Sequence, residues 1–381
     1  MMPHHKNSRL DSLTANRKPR WTWLATAVGS AILSLIISLL FFETFNVIGF
    51  VLIAAVLFII SMYVITYILE ERLKAVDEFW KHLIWGAFFV ALIPLISVIW
   101  SVIAQGLPTL ISNPGLLTSD MQGVVGSDDI ATQEEGAPLQ GGILHGLVGT
   151  LMITVLASII SIPVGLFASV YLTEYANKNV FSKAIRFFVD VMTGIPSIVA
   201  GLFAFAGLTL VAELTLGSSP QALQSVKTGL AAAIALSVLM IPVVVRSTEE
   251  MLQVVPDELR EASYALGVRK WRTITKVVLP TAMSGIASGV TLAIARVTGE
   301  TAPILVTAGY AASTNWNPFS EWMTALPVFI YRQLVNPTAP AAGDPSTARA
   351  WAGALVLIVI VMGLNLGARA IAKYFAPKTG K

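Results

Sequence analysis

Arg296 and Glu300 stand four residues apart inside the apolar run AIARVTGETAPILVTAG. At ~1.5 Å per helical residue, Arg296 lies ~24 Å along a helix counted from Pro280. Its side chain cannot reach back to water from there. A charge at that depth costs about 2.5–3.5 kcal/mol, so it marks a functional site by default. The i,i+4 spacing places both groups on one helix face. Glu300 would hold Arg296 while the path is empty and yield it to a ligand; the competing reading is a self-neutralising structural bridge. Arg246 closes another apolar run, in MIPVVVRSTEEML. It reads either as a second path residue or as an interfacial anchor paired with Glu249 or Glu250. Two guanidinium groups along one path suit an oxyanion, because their planar donor forks match its oxygens and stay charged at any relevant pH. Thr298 and Thr301 would add neutral hydrogen bonds.

These residues need a membrane to be unusual, and the composition supplies one. Hydrophobic residues make up 55% of the 381-residue chain, charged residues 12%, and the mean hydropathy is +0.74. A soluble domain carries about 25% charged residues. Windows of ~20 apolar residues must be helical in hydrocarbon, where no water can satisfy the backbone. The pattern predicts an all-α integral membrane protein with about eight spans, near 21–42, 46–69, 84–104, 143–172, 187–213, 228–246, 281–308 and 350–372. With both termini cytoplasmic, all but Lys227, Arg296, Arg332 and Arg349 of the 25 Lys and Arg fall inside or at inner span ends. The opposite orientation violates the positive-inside rule. Residues 1–20 form a basic cytoplasmic tail; the apolar run after them is too long for a signal peptide. Cysteine is absent, and the four histidines make no metal-ligand spacing.

Residues 21–69 read as a transmembrane hairpin turning at Glu43-Thr44-Phe45-Asn46, and 70–83 as a charged cytoplasmic connector. From residue 84 to about 375, small residues become frequent inside the spans, which suits a packed bundle. Pro163, Pro196 and Pro242 interrupt spans; Thr193-Gly194-Ile195-Pro196-Ser197 reads as a true helix break. Residues 105–142, with seven glycines, three prolines and five acidic side chains, read as a mobile outside segment. Residues 309–349 read as a second outside segment with an interfacial or re-entrant helix between Trp316 and Tyr331.

A polar, amphipathic loop, 249–280, lies on the basic side. Pro256 suits a first helical position. Asp257, Glu258 and Glu261 favour the positive helix end, and Gly267 suits a left-handed C-terminal cap. Leu259, Ala262 and Leu266 mark one apolar stripe; Arg260 and Ser263 lie between them. Glu261-Ala262-Ser263, Gly267 and Leu279-Pro280 resemble the EAA motif of ABC importer permeases, with Ser263 and Val277 as departures and the spacing kept.

GETAP, VVRSTEEML before VPDELREASYALG, and TGIPSIVAGLF are similar to the A-type permeases of high-affinity phosphate importers, over residues from about 140 onward. The resemblance implies a type I importer permease: a six-helix core, here preceded by an extra hairpin, in the bacterial cytoplasmic (inner) membrane. It implies that 257–267 is a coupling helix docking on an ATPase, and that Arg246, Arg296 and Glu300 are the family's charged membrane residues. It further implies inorganic phosphate as cargo, a homologous C-type permease, a dimeric ATP-binding subunit and an outside phosphate-binding protein, periplasmic or lipid-anchored. The chain has no GxxxxGK[ST] run, so ATP and Mg belong to the partner and the chain itself is no enzyme and needs no cofactor. Membrane lipid is expected around it, and no nucleic acid. Electrostatics alone leaves sulfate, molybdate and phosphonate open. An ion-coupled secondary transporter or a membrane scaffold would leave the EAA spacing or the buried charges unexplained.

Overall fold

The computed structural model describes residues 19, 21–41, 46–176 and 179–375. The basic tail, apart from Pro19, and hairpin residues 43–45 lie outside them. Every regular element among the described residues is helical, and eight helices are long and apolar enough to span a membrane. The chain is a multi-pass membrane protein of two compact units, residues 1–100 and 101–381.

The first unit holds α1 (Thr22–Phe41), α2 (Val47–Leu69) and most of α3 (Arg72–Ser112). Asn46 caps α2 by accepting from the amides of Ile48 and Gly49. The Ser34 hydroxyl donates to the Phe50 carbonyl at 2.7 Å and ties α1 to α2. The charged connector 70–83 is no separate loop. It forms the first turns of α3, which at ~1.5 Å per residue is ~60 Å long, about twice the hydrocarbon thickness.

In the second unit, α3 ends in an ordered outer layer containing α4 (Gly126–Glu134). The expected mobile segment is instead pinned at both ends. The Ile143 amide donates to the Leu116 carbonyl and that of Met121 to Ala312. Asp120 accepts from the amide and hydroxyl of Thr314, both at 2.8 Å. Burial works against this carboxylate, but the donors from Gln122 and Thr314 outweigh it and hold its pKa below the usual value. Glycines and prolines here shape turns, while the polar residues between them supply the pins. Sequence composition alone could not separate the two.

Arg349 is the strongest of these pins. It is fully buried in α15 (Asp344–Phe375), and its guanidinium makes a two-pronged pair with the equally buried Asp129 of α4, at 2.6 and 2.9 Å. Ser346, Thr338, Gln333 and the Gln140 carbonyl complete its contacts. A buried pair is costly to break because one charge is left unpaired. Arg349→Ala should therefore lower the unfolding free energy by about 3–5 kcal/mol, read as a lower Tm of the purified protein. Replacing both partners, with Arg349→Met and Asp129→Leu together, should recover part of the loss.

The core is built by α5 (Leu144–Val170), α6 (Val180–Thr193), α7 (Ser197–Leu216), a short α8 (Pro220–Ser225) and α9 (Gly229–Val254). It continues through α10 (Asp257–Ala265), α11 (Lys270–Thr273), α12 (Leu279–Thr298), α13 (Ala302–Thr307), α14 (Leu326–Val335) and α15. A wide π turn, Ile274–Val278, joins α11 to α12, and another, Tyr171–Tyr175, ends α5. Helix α9 is central: Ala232, Ala233, Leu236, Met240 and Val244 are buried with Ala157 of α5, Ala200 of α7 and Ala293 of α12. With hydrocarbon outside, apolar surface gains little by burial, and close packing of small residues holds the bundle. A Cβ on Gly165 would come within 2.6 Å of Val244, and one on Gly201 within 2.6 Å of Pro303.

Two spans differ from their sequence reading. The span 187–213 is two helices, α6 and α7, broken at 194–196 as the Gly-Ile-Pro run predicted. Helix α6 is amphipathic, not apolar all round. The span 281–308 ends at Thr298, and Gly299 caps it. Helix α13 then starts anew with Pro303 in its first turn, a position that needs no N–H. Pro163 and Pro242 lie inside uninterrupted helices. Between Trp316 and Tyr331, residues 316–325 form a loop, and only α14 is helical.

Candidate translocation and coupling sites

Helices α9 and α12 pack antiparallel, and their glycines fix the register. Gly285 of α12 faces Met251, and Gly289 faces Ser247, each closer than a Cβ would allow. Extending this pairing places Arg296 level with Met240 and Arg246 level with Val290. The two arginines therefore differ in depth by six residues, or ~9 Å.

Arg296 sits on an exposed face of the last turn of α12. It forms no ion pair among the described residues. The expected pairing with Glu300 does not occur, because Gly299 ends the helix between them and Glu300 lies in the turn to α13. An i,i+4 argument holds only while the helix runs through both positions. Thr298 is buried, and its hydroxyl donates to the Ile294 carbonyl of its own helix at 2.7 Å. It is turned away from Arg296. Thr301 is half-buried at the start of α13, where its carbonyl accepts from Leu305.

Arg246 is half-exposed and pairs with Asp190 of α6, not with Glu249 or Glu250. Glu249 is instead buried and lies 3.0 Å from Arg186 of α6, whose guanidinium also donates to the Leu172 carbonyl. The two pairs run in opposite senses between α6 and α9 and fix α6 along the inner half of α9. Asp190 and Arg186 were missed in the sequence, although the amphipathic 180–193 stretch carried both.

On the cytoplasmic side, α9 extends to Val254 and α11 begins at Lys270, so the loop is shorter than 249–280. Pro256 precedes the helix rather than opening it: α10 starts at Asp257, with Asp257 and Glu258 in its first turn. Gly267 adopts φ +74°, the left-handed conformation that a residue with a Cβ resists, and ends the turn after α10.

The residues of α10 divide between two faces. Asp257, Glu258, Leu259, Glu261, Ala262 and Leu266 are exposed, Leu266 at 84%. Arg260 and Ser263 point inward. Arg260 is 13% exposed and donates to Glu174 at the end of α5, which is 5% exposed, through two bonds of 3.0 and 3.1 Å. It also donates to the Val255 and Leu252 carbonyls that end α9, at 2.6 and 2.9 Å, and to Asp257. Lys270 donates to the Glu174 carbonyl and lies over the Tyr175 ring. The Ser263 and Thr273 hydroxyls share a buried 2.9 Å bond. Thus α10 is fastened on one side to α5, α9 and α11, while its apolar stripe faces away from the chain. Glu174 and Thr273, half of this fastening, carried no local sequence signal.

Residues 161–381 match the family described as "Binding-protein-dependent transport system inner membrane component". The "Phosphate transport system permease protein PstA 1" of Mycobacterium tuberculosis (strain ATCC 25618 / H37Rv) is 45% identical over 285 residues, covering 75% of this chain and 83% of the relative. The PstA protein of Haemophilus influenzae is 35% identical over 281 residues, covering 74% and 88%. A solved bacterial ABC transporter "involved in the import of the acidic polysaccharide alginate" overlays at a TM-score of 0.47 and 17% identity, covering 77% of this chain and 98% of that one. The chain belongs to the family of membrane permease components of binding-protein-dependent ABC transporters, with PstA phosphate permeases among its relatives.

Proposed function

We propose that this chain carries inorganic phosphate through the inner membrane as one subunit of an ATP-driven type I importer. The observation that carries this reading is Arg296: a guanidinium deep in a span, exposed on its helix, with no carboxylate partner among the described residues. Such a group needs an anion near it for at least part of a transport cycle. The names of relatives at 35–45% identity support phosphate as that anion.

In this reading the path runs past Arg296 and, ~9 Å deeper, Arg246. Thr301 and Glu300, in the turn between α12 and α13, border the upper station. Thr298 supports the helix end from behind. A homologous C-type permease completes the pore, and a phosphate-binding protein delivers cargo from outside. A dimeric ATP-binding subunit holds ATP and Mg and receives the exposed face of α10 through Asp257, Glu258, Leu259, Glu261, Ala262 and Leu266. The permease domain takes in the core helices from within α3 to α15, and the 21–69 hairpin stands apart from transport.

The test is uptake of radiolabelled phosphate at low external phosphate, with and without this gene, with sulfate as competitor. Loss of ATP-dependent, sulfate-insensitive uptake in the deletion is the expected result. Unchanged phosphate uptake would overturn the cargo and direct the search to sulfate, molybdate or phosphonate.

A further inference from the structure

Arg246 differs from Arg296 in having a carboxylate of its own. It pairs with Asp190 of α6, and both side chains are half-exposed, at 51% and 52%. Arg246 lies eight residues, ~12 Å, from the inner end of α9 at Val254. Asp190 lies ten residues, ~15 Å, from the inner start of α6 at Val180. Ionised groups within a span face a bundle interior or a water-filled cavity rather than lipid. A half-exposed pair is weak enough to open and close, unlike the fully buried pair of Arg349 with Asp129.

The helix that carries Asp190 is a separate piece. Its outer end stops at Gly194, where the chain breaks before α7. One turn inward of Asp190, Arg186 lies 3.0 Å from the buried Glu249 of α9 and donates to the Leu172 carbonyl at 3.2 Å. Leu172 belongs to the π turn Tyr171–Tyr175, and so does Glu174, which Arg260 of α10 holds. Wide turns of this kind recur at functional sites. A shift of α10 can thus reach Asp190 through Arg260, one turn and Arg186.

We propose that Asp190 is a positioning residue for transport: it holds Arg246 until phosphate displaces it, and by closing on Arg246 again it drives phosphate off toward the cytoplasm. This rests on the reading of Arg246 as part of a phosphate path. Carboxylate and phosphate then alternate on one guanidinium, whose charge stays countered at both steps. The two stations differ in kind. Phosphate meets a guanidinium without a carboxylate partner at Arg296 and a countered one at Arg246, so it is captured at the outer station and released from the inner one.

The experiment uses the transporter complex in phosphatidylcholine nanodiscs without the binding protein. Radiolabelled phosphate bound at subsaturating concentration is read by equilibrium dialysis, and the saturated uptake rate is read in cells. Asp190→Asn, which keeps the shape and removes the charge, should raise bound phosphate by about two- to fivefold, the effect of one half-exposed ion pair. It should lower the saturated uptake rate, because release is slowed. Asp190→Glu, which keeps the carboxylate, should bring both values back toward the parent. In an Arg246→Gln background, Asp190→Asn should change neither. A merely structural Asp190 would lose binding and uptake together, and that result would overturn the proposal. So would an effect of Asp190→Asn that persists without Arg246, or no effect where Arg246→Gln alone lowers both values. If Arg246→Gln itself leaves binding and uptake unchanged, the path reading fails and the proposal with it.

Discussion

Arg296→Ala should reduce phosphate uptake by about 30-fold to several thousand-fold while leaving the complex assembled. Removing one partner of a desolvated charge contact costs about 2–5 kcal/mol, and each 1.4 kcal/mol is a factor of ten. Arg296 makes no ion pair among the described residues, so its removal strands no buried carboxylate and should spare folding. Arg296→Lys should recover only part of the uptake, because an ammonium keeps the charge and loses the planar fork. Glu300→Gln gives a useful contrast. Had the two paired on one helix, neutralising Glu300 would trap the anion on an unopposed arginine; with Gly299 between them, the effect should be smaller than that of Arg296→Ala. The measurement is initial-rate uptake with the amount of assembled complex determined in parallel. Uptake by Arg296→Ala within twofold of the parent would remove this residue from the path.

The membrane class, the number of spans and the break at Pro196 were legible because each follows from a local rule. A run of ~20 apolar residues must be helical in hydrocarbon, and Gly194 together with Pro196 breaks the helix where the Ile-Pro pairs at Pro163 and Pro242 do not. Gly267 was legible for the same reason, since its left-handed φ is a property of one residue. What failed was pairing at a distance. Arg246 was read against its chain neighbours Glu249 and Glu250, yet it meets Asp190, 56 positions earlier, because α6 folds back along α9. Arg349 counted as an ordinary outside charge and proved to be fully buried against Asp129, 220 positions away. Gly299 was the subtler miss. The apolar run around it continues past Thr307, so hydropathy extends the span, while Gly299 and Pro303 end one helix and begin another. That single turn separates Arg296 from Glu300 and so changes the chemistry read from their spacing.

Arg260→Ala should uncouple the machine without detaching its motor. Arg260 and Ser263 were grouped with the ATPase-facing residues on sequence, but both face inward, whereas Leu259, Ala262, Leu266 and Gly267 with the acidic residues beside them are exposed. If α10 docks as proposed, docking and transmission are therefore separable. Arg260 is the junction where α10 meets α5 through Glu174 and α9 through two carbonyls. Truncating it leaves the buried Glu174 carboxylate without its Arg260 partner, at a cost of about 3–5 kcal/mol, enough to shift a two-position element by about 10² to several times 10³. Uptake by Arg260→Ala should fall by about that factor, while the ATP-binding subunit still co-purifies and still hydrolyses ATP. Leu266→Asp should do the reverse: it places a charge on the outward stripe, leaves the Arg260–Glu174 junction intact, and should lose the ATP-binding subunit on purification. Glu174→Gln should resemble Arg260→Ala more weakly, because the amide keeps one acceptor for the guanidinium. If Arg260→Ala loses the ATP-binding subunit as Leu266→Asp does, the inner fastening is part of the docking surface and transmission must run through another contact.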